Sequence, residues 1–185
     1  MDFELSNVTG SGSDKIPLRN NRFPPEIEQG FRWIRETISL IYTHHRHPWP
    51  MVALIFMYAE TFGKVLCRES GMQDSLSSAR KVSQFVEKFM PKLWNALDGK
   101  DKSQILGDFY RNGLVHQLFM KRGHAIHEDK SGDTSYISFN VIPYPMSINI
   151  DHLVPEFQDG LAKYYRRLET EANFLKVHIK TMSEK

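Results

Sequence analysis

Apolar residues recur at steps of three and four from Ile27 through Phe31, Ile34, Ile38 and Ile41, the spacing of one face of an α-helix. Pro24-Pro25 stands at the start of this run, where the missing N–H of proline breaks no helical hydrogen bond, so the pattern predicts a first helix from about Pro24 to Thr43. The segment His44-His45-Arg46-His47-Pro48-Trp49-Pro50 separates it from the next, because two prolines exclude a continuous helix and bias the residues before them toward extended backbone. A second helix, from about Pro50 to Glu69, is apolar nearly all round in its first half. Met51 to Ala59 are all apolar, which predicts a helix surrounded by others at the centre of a bundle. Glu60 and Lys64 interrupt that run well short of the roughly 18 residues that cross a bilayer.

Gly71 is placed to end the second helix, and Asp74 or Ser75 to cap a third over residues 76–97, with Val82, Phe85, Val86, Phe89 and Trp94 inward. Pro91 should kink or divide it. Asp98-Gly99-Lys100 forms a turn, and Asp101 or Ser103 caps a fourth helix held by Ile105, Leu106, Phe109 and Leu114. After Phe119 the period changes to two: Ile137, Phe139 and Val141 alternate with Tyr136, Ser138 and Asn140, just after the turn pair Gly132-Asp133. Strands are expected over residues 121–127 and 134–142, with a short third through 147–150 after Pro143-Tyr144-Pro145. Asp151 suits the cap of a last helix, whose inner face carries Phe157, Leu161, Tyr164, Leu168 and Leu175 and which ends near Lys180. The expected fold is all-α, an up-and-down bundle of four to five helices. A small antiparallel β-ribbon, about residues 120–150, is inserted between the fourth and last helices. Residues 1–22, with Gly10-Ser11-Gly12-Ser13 and Asn20-Asn21, have no apolar period and read as a flexible arm before a single domain over residues 23–185.

Composition narrows the function class. The 185 residues are 41% hydrophobic and 25% charged, ordinary for a globular chain with a sizeable core. A formal net charge of +2 and a pI near 8.6 lack the strong basic excess of a dedicated double-stranded DNA binder, while leaving room for a local basic site. Met1 to Asp14 contain acids and no apolar core, so no secretory or transit signal fits, and a cytoplasmic protein without membrane attachment is expected. Cys67 lies in a hydrophobic run and reads as core, which argues against a disulfide framework.

Most polar clusters have a plain structural reading. His44, His45 and His47 invite a metal, but no cysteine pair or nearby carboxylate accompanies them, and a solvated turn is expected. His124 and His127, three apart on a strand, should point to opposite faces, which is poor geometry for a joint metal site. No zinc-ligand spacing, phosphate-binding glycine loop or nucleophile elbow occurs, so no metal and no cofactor is expected. In Tyr164-Tyr165-Arg166-Arg167, helical spacing makes Tyr164 core and the arginines solvated, although aromatic and basic groups together also suit RNA stacking. Lys121 and Arg122 read either as a solvated strand end or as a basic approach to an RNA site. Glu60 has two readings: an ion pair with Lys64 four residues on, or an inward carboxylate that orients an arginine of the fourth helix.

That arginine opens Arg111-Asn112-Gly113-Leu114-Val115-His116, which places a permanent cation, an amide and a titratable imidazole within six residues. At about 100° per residue Asn112 and His116 share a helix face, whereas Arg111 lies roughly 140° from His116. Convergence on one atom requires either a kink at Gly113 or a second copy of the helix across a symmetry axis. A bland reading stands beside these: an arginine and a histidine near a helix carboxyl end interact well with its partial negative charge.

A helical bundle with this motif late in its fourth helix resembles the HEPN superfamily, whose members carry an arginine, commonly followed by a polar residue, and a histidine four to six residues further on. Arg111, Asn112 and His116 match in type and spacing, and the similarity extends over about residues 24–180. The resemblance implies a homodimer in which two motif helices meet to form a cleft that cuts single-stranded RNA without a metal. It implies Arg111, Asn112 and His116 as the catalytic group and a toxin or defence role with an antitoxin or regulatory protein as partner; on the readings given above, Glu60, Lys121 and Arg122 would support that site. The superfamily also resembles non-catalytic dimeric modules that bind RNA, nucleotides or proteins, the alternative expectation.

Overall fold

The computed structural model describes residues 24–45, 48–72, 76–97, 101–109, 124–127, 135–141 and 144–184. They form an all-α helical bundle with a small β insert, in the order expected from the pattern. Helix α1 (Pro25–Leu40) starts on its two prolines and buries Phe31, Ile34 and Ile38. It widens into a π-helical turn, Ile41–His45, where the hydroxyl of Tyr42 donates to the Asp151 carboxylate at 2.6 Å, 109 residues away in the chain. Helix α2 (Pro48–Glu69) is central: Met51, Val52, Ile55, Phe56, Ala59, Phe62, Val65, Leu66 and Cys67 are all buried. By length and composition α2 could cross a membrane, yet 56% of its most apolar stretch is buried inside the molecule, the behaviour of a core helix. It ends as expected at Gly71, whose φ of 70° is a left-handed conformation. The Met72 N–H returns to the Cys67 carbonyl and that of Gly71 to Arg68, the paired bonds that close a helix on a glycine.

Helix α3 (Ser78–Phe89) starts slightly later than the pattern predicts. Its cap is Ser77, whose hydroxyl accepts from the Arg80 N–H; the expected caps Asp74 and Ser75 lie outside the described residues. Pro91 divides the segment, and α4 (Pro91–Ala96) follows a break at Met90. The first amides of α4, which have no partner within the helix, are satisfied from a distance, since the Lys92 and Leu93 N–H groups donate to the two oxygens of Glu156 at 2.6 and 3.0 Å. Asp101 accepts from the Gln104 N–H at 2.8 Å and caps α5 (Lys102–Phe109), as expected.

Strands β1 (His124–His127), β2 (Ile137–Val141) and β3 (Tyr144–Asn149) form a sheet in the order β1-β3-β2. The antiparallel ribbon is β2 with β3, pairing Ile137 with Ile148. β1 joins β3 in parallel, pairing Ile126 with Ile148, a partner choice that the alternating pattern did not specify. Pro145 sits inside β3 instead of breaking the chain before it. The pairing with β1 starts only at Met146, so its missing N–H breaks none of the paired positions there.

Helix α6 (Ile150–Thr170) leaves β3 directly, capped by the Asn149 side chain, which accepts from the Asp151 N–H. Asp151 is thus the second residue of the helix and not its cap. The last helix is also two: α6 stops at Glu171, with backbone φ −114° and ψ 94°, and α7 (Ala172–Ser183) folds back on α2 and α6. No proline or glycine marks this break. It is set by packing, because Phe174 enters an edge-on contact with Tyr164 at 5.1 Å while the Arg167 guanidinium lies 4.0 Å over the Phe174 ring. Tyr164 is fully buried at the hub of this aromatic core, against Phe31, Phe62, Phe85 and Phe89.

Candidate functional site

The residues that carry the predicted RNA site, Arg111, Asn112 and His116, lie outside the described residues, as do Lys121 and Arg122. The helix that leads to them is described as far as Phe109. Its Gly107 packs on α3 so closely that a β-carbon there would stand 2.5 Å from that of Ala79. On α2, Gly63 packs against the Lys81 backbone of the same end of α3. Glu60 lies three residues before Gly63 on that flank, half-buried and already engaged within the molecule. α5 and α2 thus both pack on the first turn of α3, at Ala79 and Lys81.

Other polar groups sort by what they touch. His44 is exposed on the π-helical turn, and among the described residues no three His, Cys, Asp or Glu side chains are grouped to hold a metal ion. Cys67 is buried in the core, and burial pushes its thiol above the ordinary range. Arg167 corrects the expectation of solvated arginines: it pairs bidentately with Glu69, 98 residues away, and also meets Glu171, so it joins α2 to the α6–α7 corner. The hydrogen bond from Arg167 holds the Glu171 carboxyl below its usual range. Beside the sheet, the Tyr136 ring stacks on His152 at 5.6 Å and its hydroxyl lies near the Glu156 carboxylate. Both oxygens of Glu156 are taken by α4 amides, which accounts for a carboxylate only 7% exposed as a structural cap.

Sequence reasoning missed His178. It sits one turn beyond Phe174 on the inner face of α7, an apolar-face position that is the only signal the sequence offers. Its Nδ1 pairs with the Tyr164 hydroxyl at 3.0 Å, and burial lowers its pKa from 6.5 to about 4. The unfolded chain takes up this proton near 6.5 and the folded chain only near 4. The histidine's contribution to stability is therefore complete above about pH 6.5 and is lost as pH falls toward 4, by up to about 3 kcal/mol. In denaturant titrations between pH 7 and 4, the wild type should lose this much more than His178→Gln, which cannot titrate; parallel curves would refute the assignment.

His178 also lines a cleft of about 350 Å³ between α1, α2 and α7, with Gly30, Phe31, Tyr58 and Phe62 around it and Glu26 on its wall. A second cleft of about 420 Å³ lies on the other side of α1, against Tyr165, and carries both signs of charge, with Arg32 paired to Glu28. Compared with protein-family models, curated proteins and solved structures, the chain matches none. The class that its own geometry defines is an all-α bundle with a three-stranded mixed β insert.

Proposed function

We propose that the protein is a HEPN-like endoribonuclease that cleaves single-stranded RNA without a metal, acting as a cytoplasmic homodimer in a toxin or defence system under the control of an antitoxin or regulatory protein. The observation that carries the reading is the Arg111-Asn112-x-x-x-His116 motif, which follows α5 of a helical bundle after a single intervening residue, Tyr110. In this reading His116 of one copy removes the proton of a ribose 2′-hydroxyl. The 2′-oxygen attacks phosphorus, the bond to the 5′-oxygen breaks, and His116 of the second copy protonates the departing oxygen. Arg111 holds the phosphate by paired hydrogen bonds and stabilises the charge growing on it, and Asn112 positions the imidazole or the RNA. Use of the 2′-hydroxyl as nucleophile restricts the reaction to RNA. Glu60 supports Arg111, and Lys121 with Arg122 extends the basic approach.

The test is incubation of purified protein, in excess chelator, with a single-stranded RNA and with the same strand carrying one 2′-O-methyl ribose. Cleavage that leaves 2′,3′-cyclic phosphate ends and skips the methylated position is expected. Binding without cleavage, weakened by salt and by Arg111→Ala, would replace the enzyme by the non-catalytic module. Cleavage at the methylated position would sink the proposed nucleophile.

A further inference from the structure

Hydroxyls on the helices of this fold bond back to their own backbone at several places: Thr61, Ser83 and Thr170 each donate to the carbonyl four residues earlier. Thr181 on α7 does not. The residue is 3% exposed, and its Oγ1 is buried with no hydrogen-bond partner among the described residues, which leaves a donor for a group from outside the chain. Thr181 lines a third cleft, of about 400 Å³, between α7 and the end of α2, together with Arg68, Lys180 and Glu184. Lys180, Thr181 and Glu184 stand close in angle on one face of α7, the face turned to Arg68.

We infer that this cleft binds a phosphate group, held by the Arg68 guanidinium, the Lys180 ammonium and the Thr181 hydroxyl, in competition with the chain's own Glu184 carboxylate. Arg68 already holds an oxyanion: its side chain, only 17% exposed, pairs with Glu184 at 2.5 Å. A guanidinium that grips a carboxylate grips a phosphate with the same N–H groups. Lys180 makes no ion pair among the described residues, so the lining carries two cations against one carboxylate, and that carboxylate belongs to the more exposed partner of its pair. The end of α2 does not repel an anion strongly, because the Ser70, Gly71 and Met72 amides cover the carbonyls of Leu66, Arg68 and Cys67. Phosphate suits donors arriving from two helices better than carboxylate does, since it presents three strong acceptor oxygens. The cleft is larger than the anion alone, and Met72 and Val177 give an apolar wall for the body of a phosphate monoester.

Inorganic phosphate and phenyl phosphate are the probes, titrated into the full chain near neutral pH at fixed ionic strength while the Arg68 Nε–H and Thr181 methyl resonances are followed by NMR. Both resonances should move. Glu184→Gln should tighten binding about fivefold by removing the competing carboxylate, and Lys180→Gln, at an exposed position, should weaken it by about as much. Thr181→Val keeps the shape and deletes the hydroxyl. It should weaken binding about tenfold while raising Tm of the phosphate-free protein by about 2 to 4 °C, because an unpartnered buried hydroxyl is gone. Tighter binding of phenyl phosphate identifies a monoester as the ligand, and the reverse order identifies the free ion. Three outcomes overturn the assignment: no shift of either resonance at millimolar phosphate, unchanged affinity in Glu184→Gln, or a stabilised Thr181→Val that binds as wild type. An RNA oligonucleotide that moves these resonances when neither small phosphate does would overturn it as well.

Discussion

Gly63→Leu is expected to destabilise the fold by upwards of about 3 kcal/mol, measured as a lower denaturation midpoint with an unchanged slope. The reason is the absence of anything soft to move. A β-carbon at residue 63 would overlap the Lys81 carbonyl, backbone of α3, and α2 is held on its other sides by buried Phe62, Val65 and Leu66. The helices would have to separate, and the apolar surface between them would lose its contacts. The contrast with Gly30 isolates the cause, because the same substitution one helix away meets open space and should stabilise. Near-wild-type stability of Gly63→Leu would mean that α2 and α3 are not in the close contact described.

His116→Ala is expected to reduce RNA cleavage in chelator by about 10² to 10⁴-fold, the usual contribution of a positioned proton donor or acceptor, without altering the circular dichroism spectrum. In the proposed reaction the two copies use the same histidine in opposite protonation states, so wild-type cleavage should show a bell-shaped pH dependence, since neither state alone completes both proton transfers. Asn112→Ala should cost less, since an amide that positions a group transfers no proton. Equal cutting by His116→Ala and wild type would remove His116 from the chemistry and, with it, the ribonuclease reading.

What was legible in the sequence has a common physical origin. Steps of three and four from Ile27 to Ile41, the apolar run from Met51 to Ala59, the prolines at 24, 25 and 91, Gly71 and Asp101 each act on their own stretch of backbone. The structure places helix starts, ends and the break at Pro91 accordingly. Features that depend on a distant partner were not legible. The break at Glu171 has no local breaker and arises because Phe174 reaches Tyr164; β1 chooses β3 as a parallel neighbour; Arg167, read as solvated, is claimed by Glu69.

The sequence by itself determined which faces of each helix are apolar and where most helices begin and end, because periodicity, capping and side-chain type are local properties. Only the tertiary structure decided that His178 is a buried partner of Tyr164, that Glu156 serves the amides of α4 sixty-three residues away from Leu93, and that Gly30 opens a cleft while Gly63 closes a contact. Two glycines inside helices look alike along the chain, and what distinguishes them is the atom that another helix brings, or fails to bring, to the place where a side chain would stand.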